Sequence, residues 1–186
     1  MIYAGRLEEA KGIYRFVEEL CKCANKNFRL DIYGEGEDEE KIKQLAAANN
    51  LSDKITITRY VTHTELLEKY AAYDWVVLPS SQKDGWGVIV SEGLLNGLKA
   101  ICSRKCGVSW VIKEGVNGVT FDWAEEGSCV NAISKMFGGG FAVADVIRMS
   151  AQRSISGEAG AQYFMKIIDS VYNNKEKPGI PWSGDF

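Results

Sequence analysis

An α/β fold, with a parallel sheet covered by helices on both faces, is the architecture this sequence predicts. Short apolar runs alternate with longer stretches whose apolar residues recur at helical spacing. Glycine-containing turns separate most of these runs from the helical stretch that follows. The run Trp75-Val76-Val77-Leu78 is apolar throughout, as a strand buried on both faces is. Strand-helix alternation of this kind implies right-handed crossovers and ligand loops at the carboxyl edge of the sheet.

The elements follow in order. Ile2-Tyr3-Ala4 is a short strand, Gly5 to Gly12 a loop, and Ile13 to Cys21 an amphipathic helix with Ile13, Phe16, Val17 and Leu20 on its inner face. Phe28 to Tyr33 alternates as a strand. Gly34-Glu35-Gly36 turns the chain into a charged helix over 37–49, with Ile42, Leu45 and Ala46 inward. Ile55 to Thr58 is a third strand. Thr64 is placed as the cap of a helix over 65–72 that packs through Leu66, Leu67 and Tyr70, with His63 in the loop before it. Trp75 to Leu78 is the fourth strand, closed by Pro79-Ser80-Ser81. After Asp84-Gly85-Trp86-Gly87, a helix starts at Val88 and runs to Asn96. Gly97 to Cys102 is a fifth strand. Asn117-Gly118 reads as a tight turn of positive φ into a last short strand. Helices follow over 128–137, 142–149 and 157–172, the first stopped by Gly138-Gly139-Gly140. The last carries Ala161, Phe164, Met165, Ile168 and Tyr172 at helical spacing. Residues 1–174 are read as one domain and 175–186 as a frayed tail.

Composition narrows the function. With 186 residues, 46 % of them apolar, the chain can bury one real core. A net charge of −3 with no dense basic face argues against nucleic acid. No apolar run approaches the length of a bilayer span, and no secretory leader opens the chain. Five cysteines without a regular framework suit reduced thiols and a cytoplasmic setting. Cys21-x-Cys23, Cys102-x3-Cys106 and the single histidine, His63, lack zinc spacing, so no metal is expected.

Two loops carry chemistry. Arg6 and Lys11 share the first connection, at the carboxyl end of a strand, where two cations suit a diphosphate; two solvated surface cations are the competing reading. Asp84 and Glu92 lie eight positions apart across a glycine-rich turn and a helix start, where free N–H groups make an anion site. Gly34-Glu35-Gly36 suggests a dinucleotide turn only weakly, since the third glycine is absent and Glu35 repels phosphate.

These segments resemble the retaining GT-B glycosyltransferases of group 1, or family 4. Gly5-Arg6-Leu7 with Lys11-Gly12 is similar to that family's Gly-Arg-Leu…Lys-Gly segment. Pro79-Ser80, Asp84-Gly85-Trp86-Gly87 and Glu92-Gly93 resemble its Glu-x7-Glu signature, with Asp for the first Glu and Trp for Phe. Gly34 opens a segment similar to its Gly-Asp-Gly-Pro. Arg59, before Tyr60, stands where a Gly near the nucleotide base is usual. Trp110 stands in an acid's place. The resemblance runs from Met1 to about Phe121 and implies the carboxy-terminal, donor-binding half of a GT-B fold, with the acceptor-binding amino-terminal domain missing from this chain.

It also implies roles. Arg6 and Lys11 would bind donor phosphates, with Gly5 beside them. Asp84 and the amides of Gly85, Trp86, Gly87 and Val88 would hold the sugar, and Glu92 the ribose. Gly34, Glu35, Arg59 and Tyr60 would border the nucleotide. The expected substrates are a nucleoside-diphosphate sugar and a saccharide or lipid-linked acceptor, without cofactor or metal, in the cytoplasm or at the inner face of a membrane. The isolated chain is expected to be inactive. A non-catalytic nucleotide-binding module that pairs with another polypeptide, and a nucleotide-sugar epimerase of GT-B fold, are the alternatives. A glycosidase reading of the two carboxylates fits less well beside an anion-binding loop.

Overall fold

The structure is a computed structural model that describes residues 1–183. Its elements, in chain order, are β1 (Ile2–Ala4), α1 (Ile13–Lys22), β2 (Leu30–Tyr33), α2 (Glu39–Ala48), β3 (Ile55–Thr58), α3 (His63–Lys69), β4 (Trp75–Leu78), α4 (Val88–Leu95), β5 (Lys99–Ser103), β6 (Gly118–Phe121), α5 (Ser128–Gly138), α6 (Ala144–Ile155) and α7 (Gly157–Tyr172). The six strands form one parallel sheet in the order β3-β2-β1-β4-β5-β6. The chain winds outward from β1 in one direction, then restarts at β4 in the other. β1 and β4 are therefore adjacent at the point where the order reverses, and the crevice above such a point is where open α/β sheets bind ligands.

Side chains alternate between the two faces of each strand. Tyr3, Ile32, Val77, Ile101 and Val119 point to one face, where α1, α2 and α5 cover them through Phe16, Val17, Ile42 and Ile133. Ile2, Val76, Leu78, Ala100 and Cys102 point to the other, packed by Tyr70, Val90, Leu94 and Ile147. Burial on both sides explains the uninterrupted apolar run in β4, whose four residues are all buried. The α/β, Rossmann-like sheet with helices on both faces is as the sequence predicts.

Several boundaries differ, each for a local reason. The cap of α3 is Thr62, not Thr64. Its hydroxyl accepts from the Glu65 N–H at 3.3 Å, and Glu65 Oε2 accepts from the Thr62 N–H at 2.7 Å. This reciprocal box needs an acid three residues after the cap, which Thr64 lacks. His63 therefore lies in the first turn of α3, not in the loop.

Asn117-Gly118 is not the positive-φ turn expected. Gly115 takes the left-handed conformation at φ 73°. Asn117 is buried, donating to the Val111 carbonyl at 3.0 Å and accepting from the Lys113 N–H at 2.6 Å. Gly118 is needed for closeness, because a Cβ there would collide with the Ala100 carbonyl. β5 begins two residues late because Gly97, at φ 86°, is spent ending α4. Leu45 and Leu67 are less buried than their spacing suggests.

α6 extends six residues past Met149. On α7 it is Ala159 and Ser170 that are buried, while Phe164, Met165 and Tyr172 face outward. Within the stretch expected to fray, Pro181–Ser183 forms a 3-10 turn, and Trp182 packs edge-on against Trp86 and Tyr163. The remainder of that stretch, 184–186, lies outside the described residues. Among the described residues no helix is long and apolar enough to cross a membrane.

Candidate functional site

The loops after β1 and β4 meet over the crevice between those two strands. The first runs from Gly5 through a 3-10 turn, Glu9–Lys11, to Gly12. The second runs from Pro79 to Gly87. They are stitched together by main chain: Ser81 N–H donates to the Ala10 carbonyl at 3.0 Å, and Ser81 Oγ to the Glu9 carbonyl at 2.7 Å. Gly12, at φ 68°, permits the approach, since a Cβ there would collide with the Pro79 carbonyl.

Across this seam Lys11 Nζ lies 2.9 Å from Asp84 Oδ2. Ser80 Oγ donates to the same oxygen at 2.7 Å, and the Gly85 N–H donates to Oδ1 at 2.9 Å. Burial pushes the Asp84 carboxyl up, but the Ser80 hydroxyl, the Lys11 ammonium and the Gly85 amide outweigh it and hold the carboxyl below its ordinary range. Asp84 is thus an oriented anion with a cation against it.

The signature loop is zipped on its far side to the loop after β5. Asp84 N–H donates to the Lys105 carbonyl (3.2 Å), Gly107 N–H to the Gly85 carbonyl (2.9 Å) and Val108 N–H to the Trp86 carbonyl (2.7 Å). Trp86 Nε1 donates to Ser91 Oγ at 2.7 Å, so its indole is held over α4, with Trp182 on its edge. Gly87, at φ 90°, precedes α4 and supplies no side-chain cap. A Cβ on Gly87 would press 2.5 Å from Leu78 Cδ2 and 2.8 Å from Val108 Cγ1. The N–H groups of Val88 and Ile89 open the helix without an intrahelical acceptor.

Glu92, the fifth of the eight residues of α4, is gripped from two sides. His63 Nε2 lies 2.7 Å from Oε1, and Tyr70 Oη donates to Oε2 at 3.1 Å. Burial, then the charge of Glu92, push the Tyr70 phenol far above its ordinary range, so it stays a donor. His63 in turn borders a cavity of about 360 Å³ with Gly5, Arg6, Tyr33, Gly34, Glu35, Tyr60 and Leu66. The glycines let the β1 and β2 loops close up: a Cβ on Gly34 would collide with the Gly5 carbonyl. Tyr33 is fixed from behind, its hydroxyl 2.9 Å from that of Tyr73, which donates to Asp31 Oδ2 at 2.7 Å.

The residues singled out in the sequence therefore fall into separate groups. Gly5, Arg6, Gly34, Glu35 and Tyr60 surround one cavity. Lys11, Asp84 and Gly85 form one ion-pair cluster. Glu92 connects to the cavity through His63. The Arg6 guanidinium pairs with Glu8 at 3.2 Å and is well exposed, so it does not share the Asp84 carboxylate with Lys11. Arg59 stands at the exposed rim, 3.9 Å from Glu35. Trp86, Gly87 and Val88 shape the start of α4. The sequence alone gave no site role to His63, Tyr70 or Ser80. The first two are seven residues apart, two helical turns, which places both on the face that meets Glu92.

Comparison with known proteins gives the family and the fold. The family model described as "Glycosyl transferases group 1" matches residues 1–153. The D-inositol 3-phosphate glycosyltransferase of Pseudarthrobacter chlorophenolicus is 26 % identical over 160 residues, 83 % of this chain and 38 % of that protein. The lipopolysaccharide outer core galactosyltransferase WaaB, in its apo form, superposes with a TM-score of 0.76 at 19 % identity, over 93 % of this chain and 48 % of that one. Anabaena Alr3699/HepE, solved in complex with UDP, gives a TM-score of 0.72 at 17 % identity over 91 % and 48 %. The chain spans between about a third and a half of the length of these proteins. With more than four-fifths of its residues matched by the family model, this chain belongs to the group 1 glycosyl transferases.

Proposed function

We propose that this chain is the donor-binding domain of a retaining, metal-independent glycosyltransferase that moves a sugar from a nucleoside-diphosphate sugar to a saccharide or lipid-linked acceptor. The observation that carries the reading is the Lys11–Asp84 pair at the strand-order reversal. A cation and an oriented carboxylate face each other there from the two loops that border the ligand crevice. UDP in the Alr3699/HepE structure makes a nucleoside diphosphate the first ligand to test.

The residues divide the work. An ammonium has three N–H donors, and Asp84 takes one from Lys11, leaving others for a diphosphate oxygen. Arg6, exposed at the cavity edge, meets the same diphosphate. Together they neutralise charge that builds on the leaving group as the glycosidic bond breaks. The amides opening α4 and the Asp84 carboxylate orient the sugar. Glu92 accepts from ribose hydroxyls, and the cavity edged by Tyr33, Gly34 and Tyr60 receives the base. The acceptor side comes from an amino-terminal domain outside this chain, so the isolated domain binds nucleotide and transfers nothing. Its setting is the cytoplasm, with the inner membrane face as a site of peripheral contact.

Calorimetry of the chain with UDP, GDP and ADP tests the reading. At least one should bind, and Arg6→Ala and Lys11→Ala should each weaken it about tenfold or more, as expected for a lost charge-assisted contact of about 1.5–3 kcal/mol. Parent and both variants binding alike would remove the assigned roles.

A further inference from the structure

The two partners of Glu92 differ in kind. Tyr70 is fully buried and bonds Oε2 from inside the core. His63 bonds Oε1 from the cavity side, and 65 % of its side chain is exposed. The inner partner cannot leave without exposing a core phenol. The outer one can swing away by rotating its own side chain. A ligand whose hydroxyls reach Glu92 from the cavity must arrive where the imidazole already is.

We propose that His63 is a positioning residue for Glu92, holding Oε1 in the ligand-free protein and yielding it to the ribose hydroxyls when a nucleotide binds. The inference rests on the donor-binding reading above. Glu92 as a carboxylate only accepts, so the neutral imidazole carries its hydrogen on Nε2 and presents Nδ1 as an acceptor. The imidazolium grips the carboxylate more firmly, through charge as well as a hydrogen bond. Protonation of this imidazole therefore strengthens the competitor and weakens nucleotide binding.

Other charges and titratable groups face the same space: Arg6 and Glu35 from the loops after β1 and β2, Tyr33 from β2, Tyr60 from the loop after β3, and Tyr70 behind the carboxylate. Glu65 lies on His63's own helix, where it is engaged with Thr62.

His63 is the only histidine, so its signals in the untagged chain need no assignment. The test measures UDP affinity at about pH 7.5 and pH 5.5 for the parent and His63→Gln, whose amide keeps an N–H near Oε1 but does not titrate. The expected result is a loss of affinity in acid about two- to fivefold larger for the parent than for the variant, the scale of an exposed ion pair. Titration of the UDP phosphate is common to both and cancels. Imidazole ¹H–¹⁵N spectra of the parent give a second readout that needs no variant: the Nε2 signal should move on saturation with UDP. Parallel pH profiles, or an imidazole signal unmoved by saturating UDP, overturn this inference and leave the donor-binding reading standing. Absence of binding by UDP, GDP and ADP alike overturns both.

Discussion

Lys11 and Asp84, 73 residues apart in sequence, meet at 2.9 Å across the seam between the β1 and β4 loops. With Lys11 and Asp84 only about a quarter exposed, the pair is sheltered enough to tie the loops together, and it sits where the sheet order reverses.

That pairing has a pH signature. Asp84 is held below the ordinary carboxylate range in the folded chain, so its ionised form favours folding. Its contribution is present above the unfolded value of about 3.9 and is lost as pH falls through the lower folded value. Asp84→Asn should therefore destabilise the chain by about 1–2 kcal/mol at neutral pH. Denaturant unfolding of parent and variant should show the gap closing below about pH 4. A gap that does not change with pH would mean that the Asp84 charge does not stabilise the seam.

Gly87 sets the shape of the signature loop. Alanine there must adopt φ 90° and press on Leu78 and Val108. Gly87→Ala should lower stability by about 1–3 kcal/mol, the scale of a strained residue in a packed turn. Thermal unfolding measures it, with Gly85→Ala as the control, because a Cβ on Gly85 meets nothing within 4 Å. Equal effects at the two glycines would contradict the packing described.

Tyr70 should matter to ligand binding although it sits in the core. Tyr70→Phe keeps the ring and removes the donor to Glu92 Oε2. Nucleotide affinity should fall about three- to tenfold, the scale of one hydrogen bond to a charged group, while far-ultraviolet dichroism stays unchanged. Unaltered affinity would show that Glu92 is oriented by other means.

Trp182 braces Trp86 from the carboxyl end of the chain. Trp182→Ala should expose the Trp86 indole and cost about 0.5–1.5 kcal/mol. Acrylamide quenching of the remaining tryptophans should rise. No change in quenching would place the contact outside the stable fold.

Much of this was legible in sequence. The strands lay in short apolar runs and α1 in its four-residue inner stripe; Arg6, Lys11 and Asp84 stood in glycine-marked loops and Glu92 on the helix after the second of them. What sequence hid were effects of tertiary position. Thr62 and Thr64 are chemically alike, and only the acid at Glu65 selects the cap. Asn117-Gly118 has the composition of a turn, yet the crowding is with Ala100 on the neighbouring strand. His63 and Tyr70 read as a loop residue and a core residue because their common partner, Glu92, lies on a different helix. Arg6 and Lys11 share one loop but face different neighbours, Glu8 and Asp84, which spacing alone does not reveal.

The most direct test is a crystal structure of the chain with UDP. The diphosphate should lie over the crevice between β1 and β4, within hydrogen-bonding distance of the Lys11 ammonium, the Arg6 guanidinium and the amides that open α4. A diphosphate bound away from all three groups would contradict it.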